Sequence, residues 1–332
     1  MIEINGSYGE GGGQVVRTAV ALSAVTGKAV RLKNIRKNRP NPGLKAQHLR
    51  SLETAARICN ARVSGLVLGS TELSFSPMEI ESKDSRIDIG TAGSITLLLQ
   101  GLMPALPFAK EEMTLRVRGG TDVAWAPSID YLQHVTLKAL RKMGYVCELE
   151  LHERGYYPKG GGEVKASFKP CKLRGFHFQK EGEETVLGYS HSSNLPHNVA
   201  ERQAEAAKAR LLKAGFASEI KSESSNYFST GSGISLWTGF SGGSSLGKPG
   251  LPAEKVGRKA AEEILPEILS ETSVDVHLAD QLIPYMALAG DSSYTVRELS
   301  LHTKTNIWVT EQFLDVEFGV KKIEKGFEVS VE

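Results

Sequence analysis

A histidine near the C-terminus has the setting that nucleophilic chemistry requires. His302 lies in the run Ser300–Asn306, which precedes a segment with helical periodicity. The positive end of a helix disfavours a charged imidazole, so a ring nitrogen stays free to attack. A second histidine run, His277–Gln281, also starts a helix and places Asp280 near its N-terminus. For each histidine, a hydrogen bond to a loop is the alternative explanation.

A glycine-rich run precedes the first predicted helix. It spans Gly9–Gln14 and follows a short N-terminal strand. Glycines there let backbone N–H groups approach an anion at the helix N-terminus. Glu10, inside the run, has the carboxylate chemistry that holds Mg²⁺ near phosphates. A tight strand-to-helix turn is the alternative.

The basic residues are concentrated in one part of the chain. The net charge is only +2, which argues against a strongly basic nucleic-acid binder. Yet residues 11–52 contain no acid and nine basic residues, so this window carries +9 and the remainder −7. Arginine forks such as Arg36 and Arg39 suit phosphate oxygens, and Gln47 and Arg50 share one helix face. The window predicts an anionic ligand or a nucleic acid, with a solvated surface as the alternative.

Smaller motifs recur at junctions between elements. Gly90–Ser94 opens the helix that carries Gln100, where small residues and a Ser cap suit either an anion or simple capping. The runs Arg118–Asp122 and Lys159–Glu163 are turns when taken alone.

Composition excludes several classes of protein. The 332 residues are 40% hydrophobic, so the chain can bury a large core and is not disordered. Three widely spaced cysteines form neither a disulfide framework nor a zinc site. The N-terminus has no signal-peptide pattern, and the apolar stretch Ile95–Ala109 is too short to span a membrane. We therefore expect a cytoplasmic protein with no membrane partner.

The predicted elements alternate in a repeating order. Three times the chain shows two helices with strands between and after them, which predicts an α+β fold in α/β layers. The predicted helices that form these pairs are Gly11–Thr26, Pro42–Cys59, Gly93–Leu106, Pro127–Met143, Ala279–Leu288 and Thr305–Phe313.

A segment of different character interrupts this order at residues 184–274. It has predicted helices at Asn198–Ala214 and Ala253–Leu269. Between them, 13 of the 22 residues of Ser229–Gly250 are Gly or Ser, which predicts an exposed mobile loop. A phosphate-binding loop is the alternative, but Gly247 and Lys248 are followed by Pro rather than Ser or Thr.

These motifs occur in the order of one family, so the chain resembles an RNA 3'-terminal phosphate cyclase from end to end. The resemblance implies three repeats of two helices packed on a four-stranded mixed sheet, plus a small inserted α/β domain. It divides the chain into a catalytic domain, residues 1–183 and 275–332, and an insert, residues 184–274. The motifs that carry it are Gly9–Gln14, Arg36–Arg50, Gly90–Ser94 with Gln100, Gly119–Asp122, Tyr157–Gly162, His277–Gln281 with Pro284–Gly290, and His302 with Thr305 and Asn306.

The resemblance also implies the reaction. The family uses ATP to convert an RNA 3'-terminal phosphate into a 2',3'-cyclic phosphodiester, through a histidine–AMP and then an RNA-adenylate intermediate. The partners would be ATP and an RNA 3'-phosphate end, with Mg²⁺ or Mn²⁺ as the metal.

The resemblance assigns roles to particular residues. His302 falls on the nucleophile position, Asp280 would orient it, and Glu10 would be the metal ligand. His277 departs from the tyrosine common at that position, which leaves its adenine contact open. The residues on positions that contact ATP or the terminal phosphate are Arg17, Arg36, Arg39, Gln47, Gln100, His277, Leu278, Ala279, Asp280 and Gln281.

Two other classes stay open at this point. Cyclase-like proteins of ribosome assembly resemble the cyclases but lack the nucleophilic histidine, whereas His302 is present here. Enolpyruvyl transferases have similar repeat units, but they use no histidine adenylation. The motifs do not predict an oligomeric state, an RNA sequence preference or a pathway.

Overall fold

The computed structural model describes residues 1–181 and 185–332. The predicted boundary between residues 183 and 184 lies outside the described residues. A π-helical stretch, Leu132–Thr136, joins α4 to α5. The helices are α1 (Gly13–Thr26), α2 (Ala46–Ile58), α3 (Ile95–Leu102), α4 (Ile129–Tyr131), α5 (Leu137–Lys142), α6 (Asn198–Lys213), α7 (Ala253–Leu269), α8 (Val276–Ala289) and α9 (Leu301–Phe313). The strands are β1 (Ile2–Asn5), β2 (Val30–Lys33), β3 (Arg62–Ser64), β4 (Leu73–Ser76), β5 (Ser85–Asp88), β6 (Met113–Gly119), β7 (Cys147–Glu153), β8 (Gly162–Phe168), β9 (Thr185–Ser193), β10 (Ala217–Ser225), β11 (Gly231–Thr238), β12 (Ser241–Leu246), β13 (Ser292–Val296), β14 (Phe318–Ile323) and β15 (Gly326–Val331).

Two four-stranded sheets share one topology. The first has the order β1-β2-β4-β3 and the second the order β5-β6-β8-β7. In each sheet the first pair is parallel and the other two pairs are antiparallel. A helix joins the strands of each parallel pair, as such a connection requires. The mixed α/β fold that the sequence predicted is confirmed.

A third sheet has three strands in the order β13-β15-β14, all antiparallel. A parallel bridge between His177 and Ser293 lies beside β13, where the other two sheets have their first strand. His177 belongs to no strand, so this sheet has one strand fewer than the four that were expected.

The helices pack together around one large hydrophobic core. α1 is buried along most of its length and contacts α2, α3 and α9. Its core residues include Val16, Val20 and Leu22, each at most 1% exposed. Among the described residues, no helix is both long enough and apolar enough to cross a membrane. The buried α1 fixes its own N-terminus relative to α9, which matters for the site below.

The segment from β9 to α7 has a hydrophobic core of its own. Its sheet has the order β10-β9-β11-β12, and α6 and α7 pack on it. Val186, Leu211, Ile234 and Ile264 belong to this second core. The two helices predicted in this segment are confirmed to within one residue.

The prediction of a mobile loop at Ser229–Gly250 is wrong. These residues form the antiparallel pair β11 and β12, and most of them are buried. Small residues are needed there because helices approach closely: a Cβ on Gly242 would lie 2.7 Å from the Tyr131 ring, and one on Gly243 would lie 2.6 Å from the Ile264 nitrogen. The Gly and Ser content therefore reflects close packing rather than mobility.

Two predicted helices are shorter in the structure. The predicted helix Pro42–Cys59 starts only at Ala46, because the preceding residues form a loop. The helix predicted from Gly93 to Leu106 spans Ile95–Leu102, capped by Ser94, whose Oγ accepts a hydrogen bond from the Leu97 N–H.

A buried ion cluster joins the β9–α7 segment to the second sheet. Arg154 donates two hydrogen bonds of 2.9 Å to Asp130 and one of 3.2 Å to Asp122. His191, on β9, lies 3.4 Å from Asp122 through Nε2 and bonds the Tyr156 hydroxyl through Nδ1. Burial alone would raise the pKa of Asp122, but His191 and Arg154 lower it. The positive charge that the two buried carboxylates need comes from the protein itself.

Replacing Arg154 by Ala should destabilise the fold strongly. The change leaves Asp122 and Asp130 buried without their arginine, which costs about 3–5 kcal/mol in unfolding free energy, measured by urea denaturation. The matched control is Arg202→Ala, which removes an exposed ion pair with Glu254 and should cost about 1 kcal/mol or less. Equal losses in the two variants would contradict this account of the cluster.

Candidate active site

His302 lies in the first turn of α9 rather than before it. Ser300 is the N-cap, and its Oγ accepts a hydrogen bond of 3.0 Å from the Thr303 N–H. The helix thus begins four residues earlier than the predicted start at Thr305. The expected position of His302 at the positive end of a helix holds.

Both ring nitrogens of His302 face residues of the N-terminal glycine-rich run. Nδ1 is in a short hydrogen bond with Oε1 of Gln14. Nε2 lies 2.7 Å from Oε2 of Glu10. Burial lowers the pKa of His302, with the negative charge of Asp280 opposing the change. Burial therefore favours the neutral imidazole, and Nδ1 carries a proton in its bond to Gln14 because the amide oxygen only accepts.

Glu10 connects the histidine to an arginine. Its Oε1 forms an ion pair with Arg39, and its Oε2 is buried and makes no hydrogen bond among the described residues. The structure thus brings three predicted site residues, His302, Glu10 and Arg39, into one contact group.

This contact depends on glycine at position 9. Gly9 has a φ of +58°, and a Cβ there would overlap Oγ1 of Thr305 on α9. That hydroxyl donates to the Leu301 carbonyl, and the Glu10 N–H approaches it at 3.4 Å. The bare backbone of Gly9 therefore allows the loop before α1 to reach the first turn of α9.

Asp280 and Arg17 lie behind the histidine as a pair of partly buried charges. Burial raises the pKa of Asp280 to about 6, against the opposing effects of His302, His277 and Arg17. Burial likewise lowers the pKa of Arg17 to about 10. Both groups are still ionised at pH 7, and each affects the charge state of His302.

An asparagine that was not assigned a role holds three helices together. Asn306 donates 2.8 Å from Nδ2 to the backbone carbonyl of Asp280 on α8 and accepts 2.8 Å at Oδ1 from Thr18 on α1. In the sequence, the position of Asn306 in the same run as His302 and Thr305 could have indicated this role. Through it, α1, α8 and α9 share one hydrogen-bonded junction.

A small cleft beside this junction includes two further predicted residues. Arg17 and Gln47 line it together with Ser51, Ser94 and the unassigned His48. Burial and then Arg17 lower the pKa of His48 to about 3, so its imidazole is neutral. Nδ1 of His48 accepts from the Lys45 N–H at 3.1 Å. His48 thus helps to position the start of α2.

Two of the three predicted glutamines, Gln100 and Gln281, contact each other. Gln100 donates 2.8 Å from Nε2 to Oε1 of Gln281, which also accepts 2.8 Å from the Thr136 hydroxyl. This contact brings α3 beside α8. The aliphatic part of the Arg17 side chain lies next to Gly101, so the Gln100–Gln281 pair is close to Arg17.

The run His277–Gln281 is oriented by a buried acid that sequence reasoning missed. Asp275 caps α8, accepting 2.8 Å from the His277 N–H and 2.7 Å from the Leu278 N–H. It also accepts from the Tyr131 hydroxyl at 2.8 Å and from the Gly242 N–H on β12 at 2.8 Å. Its position just before a helix, typical of an N-cap aspartate, was the signal.

Within that run only some side chains are available to a ligand. Leu278 and Ala279 are fully buried in the core, so a ligand could meet only their backbone. His277 is exposed. The predicted nucleotide contact of this run stays a prediction.

Arg36 is turned toward its own loop. It has a φ of +55°, and NH1 donates to the Asn41 carbonyl at 2.8 Å and the Gly43 carbonyl at 2.9 Å. The guanidinium holds the connection that leads into α2. Its predicted contact with a phosphate stays a prediction.

Comparison with known proteins identifies the family. The family described as RNA 3'-terminal phosphate cyclase matches residues 8–320. The chain belongs to the RNA 3'-terminal phosphate cyclase family. This finding agrees with the resemblance read from the motifs.

Relatives match the chain over its whole length. The RNA 3'-terminal phosphate cyclase of Methanosarcina barkeri is 69% identical over 331 residues, covering 100% of both chains. That of Archaeoglobus fulgidus is 53% identical, covering 97% of this chain and 99% of its own. Among solved structures, EPSP synthase from Acinetobacter baumannii matches 96% of this chain and 62% of its own, at 12% identity and a TM-score of 0.32.

Replacing Gly9 by Ala should separate the glycine-rich run from α9. The variant meets both a left-handed backbone and the Thr305 hydroxyl, so its unfolding free energy should fall by more than the about 1–2 kcal/mol of the backbone effect alone. The control is Gly27→Ala, where φ is +70° and no atom lies within 4 Å of the added Cβ. Both variants are compared by urea denaturation.

A second substitution measures how much of the lost stability comes from steric overlap with the Thr305 hydroxyl. Adding Thr305→Ala to Gly9→Ala should recover part of the lost stability, because the overlapping hydroxyl is gone. No recovery, or a loss no larger than that of Gly27→Ala, would contradict the close approach.

Proposed function

We propose that this chain uses ATP to convert an RNA 3'-terminal phosphate into a 2',3'-cyclic phosphodiester. The observation that supports it most is the setting of His302 in the first turn of α9, where burial lowers its pKa and Nδ1 is in a hydrogen bond with Oε1 of Gln14. Membership of the cyclase family and the names of close relatives point to the same reaction.

The proposed chemistry has three balanced steps. Nε2 of His302 attacks the α-phosphorus of ATP, so an N–P bond forms, the α–β anhydride breaks and pyrophosphate leaves. An oxygen of the RNA 3'-phosphate then attacks the same phosphorus, breaking the N–P bond and joining AMP to the RNA end. Finally the neighbouring 2'-OH loses its proton, attacks the terminal RNA phosphorus and expels AMP. Because AMP has been joined to the RNA phosphate, the last step expels AMP, a good leaving group, instead of oxide, a poor one.

Gln14 and Glu10 prepare the nucleophile in this proposal. Gln14 holds Nδ1–H, which leaves the lone pair of His302 on Nε2. Glu10 faces Nε2 at 2.7 Å and would take a proton from this nitrogen before the attack, which frees the Nε2 lone pair. The burial that lowers the pKa of His302 keeps the attacking nitrogen free at neutral pH.

The arginines of the acid-free window would neutralise the phosphates. Arg39 and Arg17 are both close enough to His302 to lower its pKa. Phosphoryl and nucleotidyl transfers are catalysed mostly by positioning and charge neutralisation. Gln47, beside Arg17 in the cleft, would add a hydrogen bond to a phosphate oxygen.

Glu10 has the chemistry of the proposed metal site. Its buried Oε2 lies 2.7 Å from Nε2 of His302, and carboxylate oxygens are the ligands that Mg²⁺ and Mn²⁺ prefer. A divalent cation held there would supply charge neutralisation at the phosphates.

The exposed His277 and the pair Gln100–Gln281 would contact the nucleotide. The amide groups of the pair lie at the junction of α3 and α8, next to the stem of Arg17. Hydrogen bonds from such groups orient a ligand without adding charge.

We also propose the domain organisation that the resemblance implied. The two four-stranded sheets share one topology, and the β13-β15-β14 sheet with its bridge to His177 follows the same order. These features support three repeats, with the third reduced in its first strand. The separate core of the β9–α7 segment supports an insert at about residues 184–274.

The first test is formation of a protein–AMP adduct. With α-labelled ATP and Mg²⁺ or Mn²⁺, the wild type should retain label that is acid-labile and alkali-stable, as a phosphoramidate is. His302→Ala should reduce the rate of labelling by about 10⁴-fold or more. The control is His197→Ala, an exposed histidine at the start of α6, which should label normally. Label retained in His302→Ala rejects the mechanism, and no label in the wild type favours a non-catalytic cyclase-like protein.

The second test concerns pH. Because the pKa of His302 is below its usual value, adduct formation should persist below pH 6.5 and fall only as the imidazole becomes protonated. Asp280 raises the pKa of His302. Asp280→Asn should therefore move the acid limb of the pH–rate profile to lower pH, even if the maximum rate falls. Rates are measured from about pH 5 to 8, with the exposed Asp315→Asn as control. A limb that moves to higher pH would contradict the assigned interaction.

A further inference from the structure

An exposed surface of aromatic and basic residues lies beside the site and has no role in the proposed mechanism. It consists of Arg118, Tyr157, Lys159 and Phe228, and we call it the aromatic–basic surface. Tyr157 is 78% exposed and Phe228 58%, which is unusual for rings of this size. Arg118 and Lys159 come from the two glycine-containing runs that the sequence marked only as turns.

The backbone positions these side chains closely. Phe228 follows β10 and packs on Gly161, where a Cβ would overlap its ring. The Ser229 hydroxyl accepts 2.8 Å from the Tyr156 N–H, which ties the two loops together one residue from Phe228 and Tyr157. The surface is therefore a defined structure formed by two separate segments.

The two cations lie around the Phe228 ring. The Arg118 guanidinium and the Lys159 ammonium are each 5.8 Å from its centroid. Arg118 has Asp88 and Glu163 as cross-strand neighbours. Within residues 1–181 and 185–332, however, neither Arg118 nor Lys159 forms an ion pair with a carboxylate. Their charges remain available to an anionic partner.

The surface is continuous with the phosphate-binding cleft. Gly160, beside Lys159, packs so closely on Thr91 and Ala92 that a Cβ would lie 2.8 Å from the Thr91 carbonyl oxygen. The same loop continues to Gly93, where a Cβ would lie 3.3 Å from Gln47. Only the residues before α3 thus separate Lys159 from the predicted phosphate ligands.

A third aromatic residue lies close to this surface in the chain. Trp125 is 99% exposed and has a φ of +67°, in the turn before α4. Asp122, three residues earlier, forms a parallel bridge with Tyr156, which precedes Tyr157. An exposed tryptophan in a left-handed turn has no packing role that would explain it.

From this arrangement we propose that the aromatic–basic surface binds the single-stranded RNA that leads to the reacting 3' end. Exposed rings offer stacking faces to bases, and cations without carboxylate partners offer contacts to phosphates. Both cations lie 5.8 Å from the Phe228 ring centroid, so a base and a neighbouring phosphate could be bound together here. The inference rests on the proposed function for the identity of the substrate, since the cleft would hold the terminal phosphate and the surface the preceding nucleotides.

The test compares a long RNA with a short one. Fluorescence anisotropy measures binding of labelled, single-stranded RNA of about ten nucleotides and of a dinucleotide, both ending in a 3'-phosphate. The wild type should bind the longer RNA more tightly. Phe228→Leu keeps apolar contact with Gly161 but removes the aromatic face. It should weaken binding of the longer RNA by about five-fold or more and leave binding of the dinucleotide unchanged.

A charge variant supplies independent evidence. Arg118→Gln with Lys159→Gln should lower the salt dependence of binding by a slope of about 1.4, because two phosphate contacts are lost. The control is Lys255→Gln with Arg258→Gln on the exposed face of α7, which removes the same charge elsewhere. The control should leave affinity for both RNAs unchanged.

The outcomes separate this inference from the proposed function. Adduct formation with ATP should be normal in every variant of the surface, which also shows that they fold. If the wild type forms no adduct but binds the longer RNA through these residues, the RNA-binding inference is supported and the proposed reaction is rejected. If the adduct forms but the wild type binds both RNAs equally, or the variants bind like the wild type, the surface is not an RNA site and a protein partner becomes the better explanation.

Discussion

The site depends on the contact between the glycine-rich run before α1 and the first turn of α9. Glu10 and Gln14 come from one end of the chain and His302 from the other, separated by 288 residues between the two bonded side chains. Such a contact can be held only if both helices are fixed by their own packing. α1 is buried along most of its length and contacts α9 directly, so the hydrophobic core fixes the distance between the two runs.

Polar side chains then set the details that apolar packing cannot. Asn306 bonds α1 and α8 from within α9, and Gln281 joins α8 to α3 and to the π-helical stretch. Each bond lies between groups that are at least partly buried, where an unmade hydrogen bond is costly. The helix N-termini are thereby held in a single arrangement.

The sequence predicted the chemical groups better than it predicted their surroundings. His302, Glu10 and Arg39 were singled out from residue type and motif, and the structure brings them together. The turn of Arg36 toward its own loop was not predictable, since a charge count does not show the direction of a side chain. Asp275 was missed because its partners, including Tyr131, come from distant parts of the chain.

The same limit applied to the fold. Helices with strong periodicity, such as α6 and α7, were located closely. Ser229–Gly250 was taken for a loop because its composition matches one, whereas its small residues let Tyr131 and α7 approach the sheet. Close packing of a backbone against a ring depends on the neighbour, and a single-chain pattern contains no information about it.

Asp275 makes the β9–α7 segment part of the framework of the site. One buried carboxylate caps α8, which carries the run His277–Gln281, and also accepts from Tyr131 and from the backbone of β12. Burial raises its pKa, so the carboxylate relies on all these donors to remain charged. Excising the segment would withdraw the β12 donor from that carboxylate, and the start of α8 would lose part of its anchor. The β9–α7 segment therefore could not be gained or lost without consequence for the position of α8 and of the run His277–Gln281.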